Sequence, residues 1–240
     1  QRKLVSSNCH DLMCKVAEVV VVGGVRRSAL ISLSNLSDAR MRNAKSGAWW
    51  EDNQQRALSN NSVAYTDAAE TGAFMREWLS LYESKSGERG MFNRQAAEKQ
   101  AAKNGRREEY ADFGTNPCSE IILRNKQFCN LTEVVVRSDD TMNTLINKVE
   151  NATILGTLQA TLTNFRYLTS KWKHNTQEES LLGVSLTGIM DNKDMINGNI
   201  DLEYLKNISV SINKVWAKKL GIPTSAAITC VKPSGTVSQL

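Results

Sequence analysis

The sequence predicts an α/β protein. Short apolar segments of strand length recur along the 240 residues, helical patterns separate them, and glycine-bearing turns stand at several junctions. The first element is a helix in "SSNCHDLMCKVAEVVVVGG". Asn8 is its expected N-cap, Cys9, Leu12, Met13, Val16, Val19 and Val20 form its apolar stripe, and Gly23 and Gly24 end it. "SALISLS" at 28–34 and "NSVAYTD" at 61–67 alternate as strands. Between them "MRNAKSGAWWEDNQQRAL" reads as helix and loop, with Trp49 and Trp50 packing. "ETGAFMREWLSLYESKSG" is an amphipathic helix stopping at Gly87. "MFNR" at 91–94 is a short strand leading into the polar helix "QAAEKQAAKNGRREE". "LTEVVVR" reads as a strand, 140–168 as one or two helices, and "LLGVSLTGIMD" as a strand entering a turn. Residues 201–220 read as a helix, "SAAITCV" as a strand and "KPSGTVSQL" as a turn opening a further element. Neither repeats nor low-complexity linkers interrupt the chain, so residues 1–240 are expected to form part of one domain, with no boundary inside.

Composition excludes several classes. With 41% hydrophobic and 23% charged residues the chain is not a disordered tail. Its net charge of +5 comes from 30 basic and 25 acidic side chains that are interspersed, a mild bias toward anionic ligands and not a nucleic-acid stripe. "VAEVVVV" at 16–22 is far shorter than the ~20 residues that span a bilayer, so no membrane span is expected. No signal-peptide core precedes it, and five cysteines without framework spacing suit thiols in a reducing cytoplasm. A start at Gln1 and a stop at Leu240 in mid-pattern suggest part of a longer protein.

The segment "TNPCSEIILRNKQFCN" at 115–130 concentrates chemistry. If 115–121 is extended, as Pro117 favours for Asn116, then Asn116, Cys118 and Glu120 share one face. A carboxylate beside a thiol raises the thiol pKa and disfavours anionic attack, whereas a neutral S–H beside a positioned base suits hydrogen-atom exchange away from water. The alternative is that Cys118 is a small core residue and Glu120 a solvated charge. "KPSGT" offers Pro233, Ser234, Gly235 and Thr236 as a turn at a helix N-terminus where hydroxyls and N–H groups could cradle phosphate, with Lys232 adding charge. "GGVRRSA" offers mobile glycines and two planar guanidinium groups, or merely a helix C-cap with surface arginines. Cys9 to Cys14 matches no zinc spacing, and His10 and His174 are the only histidines, so no metal site is expected.

Taken together, "GTNPCSEIIL", "FCNLTEVVV", "CHDLMCKVAEVVVVGGVRRSA", "LSNNSVAYTD", "GMFNR", "GVSLTGIMD" and "VKPSGTVSQL" resemble, in order, segments of ribonucleotide reductase large subunits, especially the adenosylcobalamin-dependent class II enzymes of bacteria and phages. The resemblance implies a partial ten-stranded α/β barrel with a central finger loop, and reduction of ribonucleotides to 2′-deoxyribonucleotides for DNA synthesis. It implies Cys118 as the thiyl-radical cysteine that removes the 3′ hydrogen, Glu120 as the base for the 3′-hydroxyl proton and Asn116 as a hydrogen-bond partner of the ribose hydroxyls. Cys129 would be half of the reducing dithiol, whose other half lies upstream of this chain. Ser119, Pro233, Ser234, Gly235 and Thr236 would bind substrate. Gly23, Gly24, Val25, Arg26, Arg27 and Ser28 would form the specificity loop linking a nucleotide effector to the substrate base. A thioredoxin-like dithiol would be the external reductant, and adenosylcobalamin the radical source. Cys9, Cys14 and Cys230 are read as packing residues. A class I large subunit served by a metal-bearing partner, a nucleotide-binding regulatory module without catalysis, and a thiol redox protein are the rival readings.

Overall fold

A computed structural model of the chain describes residues 3–22, 25–26, 28–103, 105, 107 and 112–233. They fall into two compact units, one within Gln1–Lys103 and Glu109–Ser119, the other within Asn104–Glu108 and Glu120–Leu240. Both are mixed α/β with parallel strand pairs.

The first unit begins with α1 (Ser6–Glu18). Asn8 is not its N-cap: Val5 is, and Asn8 lies inside the first turn, where its Oδ1 accepts the Val5 N–H at 3.3 Å. The helix also turns a different face inward from the one expected. His10, Cys14 and Ala17 are buried, while Cys9, Leu12, Met13 and Val16 are exposed. Polar partners select that face: His10 Nε2 meets Asn61 Oδ1 at 2.9 Å, and Arg56 grips Asp11 through two bonds of 2.6 and 2.7 Å. The β-branched run after Glu18 leaves the helix, and β1 (Val21–Val22) pairs antiparallel with β2 (Val25–Arg26).

β3 (Leu30–Ser34), the short helices α2 (Ala39–Arg42) and α3 (Trp49–Asp52), and β4 (Ser59–Tyr65) follow, then α4 (Thr71–Ser84), β5 (Gly90–Asn93) and α5 (Arg94–Ala102). The sheet order is β3-β4-β5, all parallel, with Leu30 opposite Ser59 and Ser62 opposite Gly90. Glu70 caps α4 by accepting the Gly72 and Ala73 N–H groups, and Lys85 in the left-handed region ends it before Gly87. Glu77 on α4 is buried between Arg89 and Arg42, with Arg89 Nη2 at 2.8 Å from Oε1 and Nε at 3.0 Å from Oε2. β6 (Gly114–Thr115) closes this part of the chain.

The second unit holds β7 (Ile122–Leu123), β8 (Asn130–Val135), α6 (Met142–Gln159), α7 (Ser170–Glu179), β9 (Leu182–Thr187), α8 (Lys193–Ile196) and α9 (Leu202–Leu220). β8 and β9 are parallel, Asn130 opposite Leu182 through Val135 opposite Thr187. α6 stops at Gln159, shorter than the expected run to 168, and α7 is a helix for which the sequence pattern supplied no expectation. "SAAITCV" is not a regular strand. Its chain runs beside β9 with a single parallel bridge, Thr229 to Val184, and backbone bonds such as Cys230 N–H to Val184 O at 3.1 Å. α6 covers β8 and β9, α9 packs on α6, and Val134, Val136, Leu145, Val149, Leu182, Val184 and Leu205 form one buried apolar core. Asn213 joins the helices to the following loop, donating to Thr157 Oγ1 and Ser225 Oγ at 3.0 Å each and accepting the Ser225 N–H at 3.0 Å.

Candidate active site

Residues 116–119 are not extended. Pro117 takes the second place of a β-turn, which its fixed φ favours, and the Ser119 N–H donates to the Asn116 carbonyl at 2.9 Å, with Ser119 in the left-handed region at φ 66°. The strand alternation invoked for Asn116, Cys118 and Glu120 therefore does not hold. Instead the turn projects Cys118 from its third position as a free, half-buried thiol. Asn60 Nδ2 on β4 pins the turn by donating to the Pro117 carbonyl at 2.8 Å, and Thr115 Oγ1 reaches Asn116 Oδ1 at 3.4 Å. Ser119 is exposed.

The chain enters the second unit at Glu120. Both of its carboxylate oxygens are buried and accept no hydrogen bond among the described residues. Such a group is costly to hold and is open to a ligand bearing O–H donors. The loop from Glu120 to Cys129 is held from behind by α7. Glu179, itself buried, receives Arg107 Nε and Nη2 at 3.1 and 2.9 Å, and Gln127 Nε2 as well. The Phe128 N–H donates to Thr176 Oγ1 at 3.1 Å, and Asn175 Nδ2 to the Asn125 carbonyl at 2.8 Å. These bonds deliver Cys129 to the start of β8.

Cys129 and Cys230 pack on one apolar cluster with Ile121, Leu181 and Ala226. Burial, reinforced by the Glu120 charge, pushes the Cys129 thiol up to about 11. The same two causes push Cys230 up to about 12, with the Lys232 cation opposing in both cases. Both thiols are thus neutral S–H groups at ordinary pH, suited to hydrogen-atom and electron transfer and poor as anionic nucleophiles. The Lys232 N–H donates to Ser185 Oγ at 2.9 Å. Gly183 on β9 leaves the room: a Cβ there would stand 2.9 Å from Ile121 Cδ1 and 3.1 Å from Cys230 Sγ.

Cys230 packs on the apolar cluster as expected of a packing residue, and shares that cluster with Cys129, which no short motif announces. Cys14 is buried as expected, whereas Cys9 is exposed. Among the described residues there is no cluster of three or more His, Cys, Asp or Glu able to hold a metal ion, and no helix long and apolar enough to cross a membrane. Gly23, Gly24, Arg27, Ser234, Gly235 and Thr236 lie outside the described residues. Val25 and Arg26 are described by backbone alone, Ser28 Oγ donates to the Ala17 carbonyl at 2.8 Å, and Pro233 is exposed.

No family model matches the chain. Curated relatives do: the adenosylcobalamin-dependent ribonucleoside-triphosphate reductase of Levilactobacillus brevis is 28% identical, covering 100% of this chain and 35% of its own length. That of Lacticaseibacillus paracasei is 28% identical over 99% of this chain and 35% of its own. A crystal structure of a B12-dependent class II ribonucleotide reductase shares the fold with a TM-score of 0.66 at 23% identity, covering 99% of this chain and 36% of that one. The chain thus spans about a third of the length of the curated relatives it matches. By sequence along its whole length, the chain is similar to adenosylcobalamin-dependent ribonucleoside-triphosphate reductases.

Proposed function

We propose that this chain carries the reducing centre of a ribonucleotide reductase that makes 2′-deoxyribonucleotides by thiyl-radical chemistry. The observation that carries the reading is the Glu120 carboxylate, buried and without a hydrogen-bond partner among the described residues, next in the chain to Ile121, which packs with the neutral Cys129 thiol, and two residues along the chain from the turn-borne Cys118. Cys118 as a thiyl radical takes the 3′ hydrogen of the ribose, and Glu120 takes the 3′-hydroxyl proton. Asn116 and Ser119 hold the sugar. Loss of the 2′ hydroxyl as water consumes two electrons, which Cys129 and a second thiol supply as they become a disulfide. Cys118 then returns the hydrogen atom to C3′.

The names of the relatives support a ribonucleoside triphosphate as substrate and adenosylcobalamin as the radical source. Bound, that cofactor would supply abstraction of the hydrogen atom from a thiol. Cys118 fits this demand because its sulfur is free and half-buried at a turn and not sealed in a core. The rest of the reading is a ten-stranded barrel completed by further chain, a phosphate cradle at 233–236, and a specificity loop at 23–28 that senses a nucleotide effector. A thioredoxin-like dithiol regenerates the thiols in a cytoplasmic setting.

The test is Cys118→Ser in the full-length protein, assayed with ribonucleoside triphosphate, dithiol and adenosylcobalamin. The hydroxyl O–H bond is too strong for the same exchange, so deoxynucleotide formation should vanish while nucleotide binding stays near that of the unmodified protein. Turnover near that of the unmodified protein would remove Cys118 from the radical role. Dependence on an iron- or manganese-bearing subunit would move the protein to class I.

A further inference from the structure

The oxygen that Asn60 binds belongs to one particular peptide. In the turn from Asn116 to Ser119 the Pro117 carbonyl sits in the central peptide, the one that joins Pro117 to Cys118, and Asn60 Nδ2 donates to it at 2.8 Å. Flipping that peptide converts a type I into a type II β-turn and re-aims the third residue together with its side chain. Pro117 suits the second place of either type and so does not choose between them. A type II turn requires φ of about +80° at its third residue. Ser119 has φ 66°, whereas Cys118 is not among the described residues with positive φ, which excludes type II. Asn60 is itself firmly held. It stands on β4 opposite Ile31 of β3, exposed between the buried Ser59 and Asn61, so strand alternation turns its side chain away from theirs. Those neighbours are anchored: Lys45 Nζ donates to the Ser59 carbonyl, Glu88 Oε2 accepts the Asn61 N–H at 3.2 Å, and His10 Nε2 meets Asn61 Oδ1 at 2.9 Å.

We propose that Asn60 is a positioning residue for Cys118: its amide holds the carbonyl of the Pro117–Cys118 peptide, and with it the direction in which the sulfur leaves the turn. A short turn has few contacts of its own with which to fix that direction, and a strand whose register is locked on both sides of Asn60 supplies the reference. The catalytic value is aim. A thiyl radical must meet one C–H bond of the sugar, and a misplacement of about 1 Å can cost on the order of a hundredfold in rate. Asparagine suits the task because its amide is a donor on a short arm, whereas aspartate, of the same shape, only accepts when ionised and would repel the carbonyl oxygen. The inference rests on the proposed function for its kinetic consequence but not for the bond itself.

The experiment uses Asn60→Asp and Asn60→Ala in the full-length protein, with Asn60→Leu, similar in shape and without a donor, taking the place of the aspartate variant should that one fail to fold. Asn60→Asp should lower kcat on the order of tenfold with KM for the ribonucleoside triphosphate within about twofold, because a misdirected sulfur fails in the transition state and not in substrate binding. Asn60→Ala should lose less, since water can enter and satisfy the carbonyl. A role in packing alone predicts the reverse order, aspartate keeping the shape of asparagine and alanine not, and it would move the denaturation midpoint and leave kcat in place. Infrared spectra of protein labelled with carbonyl-13C proline give a readout free of turnover. The band assigned to Pro117 by its loss in Pro117→Ala should move to higher frequency in Asn60→Asp, as the carbonyl loses its donor. An unmoved band, or a kcat within about twofold of that of the unmodified enzyme, overturns the proposal. An unmodified protein that reduces no ribonucleotide overturns the proposed function instead, while the infrared band still decides the bond.

Discussion

The two units bury apolar side chains alike but differ in how much charge stands among them. In the second, Leu145, Val149 and Leu205 from α6 and α9 join Val134, Leu182 and Val184 in one buried apolar core. In the first, Met41, Leu58, Val63 and Phe113 are buried, and charged and polar pairs are interleaved with them. Glu77 lies between Arg89 and Arg42, Lys45 donates to Glu88 at 2.8 Å, Arg56 grips Asp11, and His10 meets Asn61. α4 shows the contrast by itself, since its buried residue is Glu77 while Met75, Trp78, Leu79 and Tyr82 are exposed. Apolar contact is forgiving of direction, whereas an ion pair in a dry interior stabilises only with every partner in place. The first unit therefore leans more on the geometry of its charged pairs, and the α6 face of the second leans more on area.

The largest expected effect is on the first unit. Glu77→Gln leaves Arg89, which is 4% exposed, without its counter-charge, and should destabilise by about 3–5 kcal/mol in chemical denaturation. Amide exchange in β3, β4 and β5 should accelerate with it. A cost under about 1 kcal/mol would mean that the pair merely fills space, and the contrast between the units would fail. In the second unit, Leu145→Ala removes a fully buried side chain from the α6 face and should cost about 2–5 kcal/mol, read as faster exchange in β8 and β9. If the arginine cluster behaves as described, conservative swaps should separate the units as well. Leu145→Met should be mild, while Arg89→Lys, which loses the two-pronged grip on Glu77, should not.

Periodicity made most of this fold legible. β3, β4, β8 and β9 lie where apolar alternation or runs placed them, and α4 and α9 lie where the 3.6-residue pattern did. What failed did so for identifiable reasons. α7, "SKWKHNTQEE", has no apolar stripe because its inward face is Asn175, Thr176 and Glu179, which hold the Glu120 to Cys129 loop by hydrogen bonds. α1 was assigned the wrong buried face because polar bonding from His10 and Asp11 outweighed its leucine and valine stripe. At the candidate site, the residue types near Cys118 were visible but their arrangement was not. Proline restricts the residue before it toward extended geometry, yet it also starts a turn, and the Ser119 to Asn116 bond selects the turn. Cys230 packs on apolar side chains as expected, but its sharing that cluster with Cys129 depends on pairing beside β9, a long-range fact with no local signal.

Acid should separate the units by a smaller margin. In the first, Glu77 is held below its usual value of 4.5: burial pushes it up, but its bonds to Arg89 and Arg42 outweigh that. Asp11 is likewise held below 3.8, chiefly by its bond to Arg56, and Asp38 is lowered because N-cap and Ser6 hydrogen bonds overcome its burial. In the second, Asp140 is lowered in the same sense, Lys148 and the Arg137 N–H overcoming burial. A carboxylate lowered on folding contributes stability that is whole above its unfolded value and is lost as pH falls through the folded one. Between about pH 4.5 and the lower folded values, protonation thus withdraws four such contributions from the first unit, the exposed Glu70 at the α4 N-cap included, and one from the second. In an acid titration followed by amide protection, β3 to β5 should lose protection before β8 and β9, by roughly a few tenths of a pH unit. Loss in the opposite order would show that the charged centre of the first unit tolerates protonation, and that its order rests on something other than those pairs.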